Sequence, residues 1–315
     1  MTTFTPPAPP RARASRSPLA SCPVGIVPIV WNNADLADLA PFVPVEEVLD
    51  EIARLGYEGC QTGVGFPTGP VLRQELGRRG LRLAEVYASL PIRVGGPVPG
   101  ALEQGRERLA ILRGAGGEVL VAAGDLAPER EPWAGRASDP AAPRLADDGM
   151  ASLARILETL GREAVEGGQR LAFHPHVGTF VETAEEVRRL AAATDPALVG
   201  FCLDVGHYTV GGGDPSAAVR GLGPRVRHVH LKDVAREPLA RLQGGETPGF
   251  LAALRERIFT ELGTGILDVD GVLGALAATD YRGWLMIEQD TSWRPPSESA
   301  AIGRAVLDHA IGRLG

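Results

Sequence analysis

The feature that most narrows the fold is an alternation running through nearly the whole chain, in which a short apolar or β-branched run is followed by a longer stretch of helical periodicity. The short runs lie at 25–31 (GIVPIVW), 59–63 (GCQTG), 81–89 (LRLAEVYAS), 118–124 (EVLVAAG), 170–176 (RLAFHPH), 199–207 (VGFCLDVGH), 227–233 (RHVHLKD) and 284–290 (WLMIEQD). Strands separated by helices pair in parallel, because a crossover helix returns the chain to the same end of the sheet. The intervening stretches carry helix signals of their own. In VEEVLDEIARLG, Val45, Val48, Leu49, Ile52 and Leu55 form one apolar stripe that Gly56 ends, and Thr183 with Glu186 opens TAEEVRRL as a capping box. Eight such units fit a single (β/α)8 TIM barrel over residues 24–315 better than a doubly wound sheet, which has about five or six.

Two segments fall outside the repeat. Residues 1–23 are rich in Pro, Arg, Ser and Ala, lack the apolar stretch of a secretory signal, and are predicted to be a disordered tail. Residues 235–261 form an insertion between the seventh strand and LGTG. They sit on the face where ligands enter a barrel, and GFLAALRERI within them is predicted to be a helical lid.

Charge and motifs exclude several classes. A formal net charge of −7 and a pI near 5.5 argue against nucleic-acid and anionic-membrane surfaces. No run approaches the ~18 apolar residues of a membrane span. The three cysteines, Cys22, Cys60 and Cys202, are far apart and form no CxxC pair, so a reduced cytoplasmic protein is expected. No GxGxxG follows the first strand and no GxxxxGK[ST] occurs, which leaves nucleotide cofactors without support. A small-molecule ligand is the expected partner.

In a barrel, chemistry gathers at the C-terminal ends of the strands, and here five of the six histidines lie there. His174 and His176 close the fifth strand, Asp204 and His207 the sixth. His228, His230 and Lys232 share one face of the seventh by strand alternation, and Glu288 closes the eighth. Strands five to eight are neighbours, so His174, Asp204, His230 and Glu288 can converge near the axis. Two imidazoles and two carboxylates without a thiolate suit a divalent metal, manganese or cobalt first, with zinc, iron or magnesium as alternatives. HPH and HVH each leave open which histidine ligates. Lys232, near a metal and buried surfaces, is expected to be pushed toward neutrality and to carry a proton or partner an oxyanion; an ion pair with Asp233 or a helix-end carboxylate is the plainer alternative. Asn32 and Asn33 are candidates for binding substrate hydroxyls, and Trp31 for an apolar wall. The loops after strands seven and eight show no arginine cluster, so an unphosphorylated substrate is expected.

The segments GIVPIVWNNADL, ARLGYEGCQTGVGFP, FHPHVGTFVETAEEV, TDPALVGFCLDVGHYTVGGGDP, VRHVHLKDV and GTGILDVDGVLGALAATDYRGWLMIEQD resemble the sugar phosphate isomerase/epimerase superfamily with its xylose-isomerase-like barrel. Within it they resemble most the myo-inosose-2 dehydratases of inositol metabolism. The resemblance implies a metal-dependent hydro-lyase, homo-oligomeric as a dimer or tetramer, that removes water from 2-keto-myo-inositol or a related keto-cyclitol. An epimerase or isomerase of a keto-sugar or cyclitol is the first alternative, and a non-catalytic sugar-binding barrel the second. The superfamily's metal ligands are Glu, Asp, His and Glu on strands five to eight. Asp204, His230 and Glu288 match three of them, and His174 stands in for the missing glutamate. The implied catalytic groups are Glu288 or a histidine as base, with His176 or Lys232 as acid and His207 beside them. His228, Gln61 and Glu85 are expected at the substrate. The related dehydratases carry a glutamate where this chain has Gln61 and an apolar or small residue where it has Glu85.

Overall fold

The computed structural model describes residues 17–314. Eight parallel strands close a barrel: β1 (Val24–Ile26), β2 (Gly59–Gln61), β3 (Arg82–Leu90), β4 (Val119–Gly124), β5 (Arg170–Phe173), β6 (Val199–Asp204), β7 (Val226–Leu231) and β8 (Leu285–Ile287). β1 pairs β8 through Gly25 and Met286, and that bond row closes the ring. The single (β/α)8 barrel expected from the alternation is therefore the fold.

Helices follow the predicted stripes. Val45–Arg54 buries Val48, Leu49 and Ile52, and Thr183 and Glu186 form the capping box that opens Ala184–Ala193. Six of the runs end as strands sooner than the sequence suggests, and the first and the sixth show why. Pro28 has no N–H for the ladder, so the first becomes a 3-10 turn over Pro28–Val30. In the sixth, Asp204 caps a short helix, Val205–Val210, by accepting the His207 N–H at 2.7 Å.

Of the predicted tail, residues 1–16 lie outside the described residues. Its remainder is packed: Pro18–Ser21 form a 3-10 turn, and Leu19 and Cys22 are buried in the main core. Leu19 and Cys22 are thus part of the barrel's packing, although they lie before residue 24.

The segment 235–261 folds as helices Arg236–Gly244 and Phe250–Arg255, then Phe259–Thr260, which pairs antiparallel with Asp233–Val234 beyond β7. Its Leu239, Leu242, Phe250, Leu254, Ile258 and Phe259 pack with Leu36, Val177 and Val210 into a second apolar cluster over the barrel mouth. Among the described residues no helix is long and apolar enough to cross a membrane.

Candidate active site

The strand ends of β5 to β8 supply the site. His174 is the first residue past β5, Asp204 the last of β6, His230 the fifth of β7, and Glu288 the first past β8. Asp204 and His230 are register partners across β6 and β7, so one pair of adjacent strands sets two of the four groups side by side. His230 Nδ1 stands 2.6 Å from Glu288 Oε2 and 3.8 Å from Asp204 Oδ2, and His174 Nε2 stands 3.9 Å from that same oxygen. Asp204 Oδ2, His230 Nδ1 and Glu288 Oε2 are buried and face one another without a hydrogen bond of normal geometry among the described residues. Donors each about 2.1 Å from one ion stand roughly 3 to 4 Å apart, as the 3.8 and 3.9 Å contacts do, and the closer His230–Glu288 contact is one an ion would open, so these residues fit a divalent metal.

Hydrogen bonding sets the tautomer of both histidines of HPH. A carbonyl can only accept, so the 2.8 Å contact of His174 Nδ1 with the Pro175 carbonyl places the proton on Nδ1 and leaves the Nε2 lone pair facing Asp204. Burial, then the neighbouring His230 and His176, hold His174 well below the ordinary histidine range. His176 is fixed alike by the Val177 carbonyl at 2.8 Å and stacks on His207 at 3.8 Å between ring centroids. Burial and Lys232 push it down to about 4, so its Nε2 is unprotonated at neutral pH.

Lys232 is fully buried, and its Nζ lies 2.7 Å from Asp290 Oδ1, 3.1 Å from Glu288 Oε1 and 3.4 Å from Asp204 Oδ2. Burial alone would neutralise it, but Asp204, Asp290 and Glu288 outweigh burial and raise its pKa. The expectation of a lysine pushed toward neutrality is thus corrected, and Asp233 is not its partner. Asp233 points to the other side, where its oxygens accept the N–H groups of Val234, Gly263, Gly265 and Leu267 and pin the loop after the insertion. His207 Nε2 faces Lys232 Nζ at 3.1 Å while its Nδ1 faces the Val177 N–H at 3.3 Å. A neutral imidazole offers one lone pair, and the shorter contact, to the cation, claims it.

Crowding spreads the carboxylates apart in acidity: against burial, Lys232 and His230 hold Glu288 well below the usual carboxylate range. Burial and Glu288 push Asp204 up to about 6, and burial pushes Asp290 up to about 8, against the opposing pull of Lys232 on both. Burial acts against charge on His230 too, yet Cys202, Glu85 and Glu288 hold it well above the ordinary range.

The substrate-binding candidates divide differently from expectation. His228 and Glu85 are fully buried against each other, with His228 two residues deeper on β7 than His230. Asn32 is engaged at both ends by the Val43 backbone, its Nδ2 donating to the carbonyl at 2.9 Å and its Oδ1 accepting the N–H at 2.8 Å. Asn33 accepts the Asp35 and Leu36 N–H groups and donates to the Asp290 carbonyl, which shapes the mouth without leaving a free amide. Trp31 is a core residue that donates to Ser297. Gln61, half-buried, pairs in register with Glu85.

Three groups escaped the sequence reading. Asp290 lies two residues beyond Glu288, and alternation along the strand end was the available signal. Phe250 and Phe259 of the insertion stand 5.3 Å from His176 and 5.0 Å from His207 between ring centroids and form the apolar side of the site. Arg257 and Arg294 meet at the mouth beside Trp293 and Gln289, where no arginine cluster was expected. Arg294 pairs with Glu261 at 2.8 Å and Arg257 lies over the Trp293 ring, a grouping built by the fold from two loops.

Residues 49–309 match the family described as xylose isomerase-like TIM barrel. The chain is 31% identical over 295 residues to an inosose dehydratase of Bacillus anthracis, covering 92% of this chain and 97% of that protein. To an inosose dehydratase of Bacillus velezensis it is 33% identical over 294 residues, covering 91% and 96%. Among solved structures it superposes on an L-ribulose 3-epimerase with a TM-score of 0.69 at 17% identity, over 93% of this chain and 95% of that one. A probable 3-DHS dehydratase of Bacillus anthracis gives a TM-score of 0.64 at 12% identity, over 91% and 98%. At such identities the solved structures speak to the fold.

Proposed function

This chain belongs to the xylose isomerase-like TIM barrel family, and we propose that it is a dehydratase removing water from 2-keto-myo-inositol or a closely related keto-cyclitol, with manganese or cobalt held by His174, Asp204, His230 and Glu288. The observation that carries this reading is the donor set itself. A symmetric exchange of a proton between two facing glutamates needs an acid at the end of β5, and an imidazole stands there. Elimination asks for less symmetry. Whole-length similarity to inosose dehydratases supports the same choice.

Bound by those four residues, the ion would polarise the ketone and acidify the adjacent C–H. His176 is the side chain free to take that proton: its Nδ1–H is tied to Val177, and its Nε2 carries a lone pair at neutral pH. Glu288 is less free, since Lys232 and His230 engage its two oxygens. The C–H electron pair forms the new C=C bond as the β-hydroxyl departs, and the proton on His176 passes to that hydroxyl to give water. This gives His176 the part of base first and acid second. Lys232 stays a cation and sets a fixed positive charge beside the developing negative charge, its three N–H groups held by Asp290, Glu288 and His207. Phe250 and Phe259 keep bulk water from the imidazoles, and we propose that their segment, 235–261, acts as the lid.

The test is incubation of 2-keto-myo-inositol in D2O with protein loaded with manganese or cobalt, followed by mass spectrometry and NMR. Product lighter by one water is expected. Deuterium gained beside the ketone without loss of water would make the protein an epimerase or isomerase, and unchanged ligand under every divalent metal would make it a binding protein.

A further inference from the structure

Below the proposed metal set, the barrel interior holds a polar group that the elimination does not use. Glu85, the fourth residue of β3, is fully buried, and its Oε2 accepts from His230 Nε2 at 2.9 Å while also touching His228 Nε2. His228 is likewise fully buried, two residues deeper on β7, with its ring centroid 5.5 Å from that of His230. His230 therefore joins two polar layers. Its Nδ1 faces Asp204 and Glu288 above, and its Nε2 faces Glu85 below.

A carboxylate so placed needs an explanation. A buried acid costs stability unless its oxygens are paired, and Glu85 Oε1 has no hydrogen-bond partner among the described residues. An apolar residue would fill the space between Ala84 and Val86 at lower cost, so folding gives no reason for an acid here. Ligation does give one. An ionised carboxylate only accepts, so Glu85 keeps a hydrogen on His230 Nε2 and fixes the plane of the ring, which leaves Nδ1, the nitrogen facing Glu288 and Asp204, as the one that can give up its proton to a metal.

We propose that Glu85 is a positioning residue that, from full burial in the barrel interior, sets His230 to ligate the metal through Nδ1, with His228 holding the same carboxylate oxygen from its other side. The inference rests on the metal reading above and would not survive its failure. A second cation between Glu85, His228 and His230 is the competing account of the same atoms. The His230 Nε2 contact with Glu85 is a hydrogen bond at 2.9 Å, and a His230 shared between two cations would have to lose both ring protons, so the positioning role is favoured.

Titration of metal-free protein with Co(II) against a chromophoric chelator, with the Co(II) absorption bands recorded, separates these outcomes. Wild type is expected to bind one Co(II) per chain. Glu85→Gln, which keeps the shape and lowers the acceptor strength, is expected to weaken binding about 10- to 100-fold and to shift the bands, while the metal-free variant melts no lower than wild type. Glu85→Asp should recover part of the affinity. Unchanged affinity and bands in Glu85→Gln would overturn the proposal, as would two Co(II) per chain in wild type falling to one in the variant. The underlying metal reading fails separately, if wild type takes up no Co(II) or if Asp204→Asn leaves its affinity untouched. Should Glu85→Gln not fold, long-range 1H–15N spectra of the zinc-loaded wild type decide: Nδ1-ligated His230 with Nε2–H is expected, and Nε2 ligation overturns the role.

Discussion

The two halves of the barrel are alike as scaffold and unlike as chemistry. Strands β5 to β8 end in His174, Asp204, His230, Lys232 and Glu288, all buried and all within one connected set of charged contacts. Strands β1 to β4 end in residues whose polar atoms serve their own loops: Asn32 binds the Val43 backbone, Asn33 the 35–36 turn, and Asp125 the Ile92 N–H and the Arg93 guanidinium. Glu85 is the exception, and it reaches across the interior to β7 rather than up to the mouth. Position at a strand end is thus not sufficient for a functional role. What marks the working half is that its polar groups face one another with lone pairs to spare, whereas the other half satisfies its own loops.

Substitutions can break that contrast. Asp204→Asn should produce the largest change, weakening Mn(II) or Co(II) binding on the order of 100-fold or more and abolishing turnover, measured by competitive metal titration and by assay. Phe250→Ala removes a buried ring from the roof over His176 and His207 and should lower stability by about 3 kcal/mol, read by denaturant unfolding. Its helix should also lose ligand-dependent protection in hydrogen exchange; equal protection with and without ligand in the wild type would count against a lid.

The pH dependence sharpens the comparison further. Protons and metal compete for the same atoms, and burial raises Asp204 to about 6 while His230 also holds its proton beyond the ordinary range. A raised pKa at a ligand weakens metal binding below it, so affinity should climb as pH rises through 6, by up to about tenfold per unit for each proton displaced. Affinity flat between pH 5 and 7 would contradict the assignment of Asp204. The smallest effect belongs to the first half: Asn32→Ala should cost about 1 kcal/mol in thermal or denaturant unfolding and leave metal affinity unchanged.

How much of this was legible in the chain follows from where each signal is stored. The eight strands could be read because each is a local apolar run between helical stripes, and the four candidate ligands because ionisable residues interrupt such runs at their ends. Lys232 was misjudged because the carboxylates that keep it charged come from β6 and from beyond β8, and only ring closure sets them around it. The burial of Glu85 and His228 could not be read because alternation gives a side chain's face but not its depth. Arg257 and Arg294, lone residues on two loops far apart in the chain, line one pocket only once the insertion folds. Leu19 was lost within a Pro- and Arg-rich stretch whose composition hid one apolar anchor.

The most direct test of the contrast between the two halves is a crystal grown with Mn(II), with diffraction recorded on both sides of the manganese edge. One anomalous peak per chain among His174 Nε2, Asp204 Oδ2, His230 Nδ1 and Glu288 Oε2 is the expected result. A peak at the ends of β1 to β4, or none at these four residues when the crystal holds manganese, would contradict it.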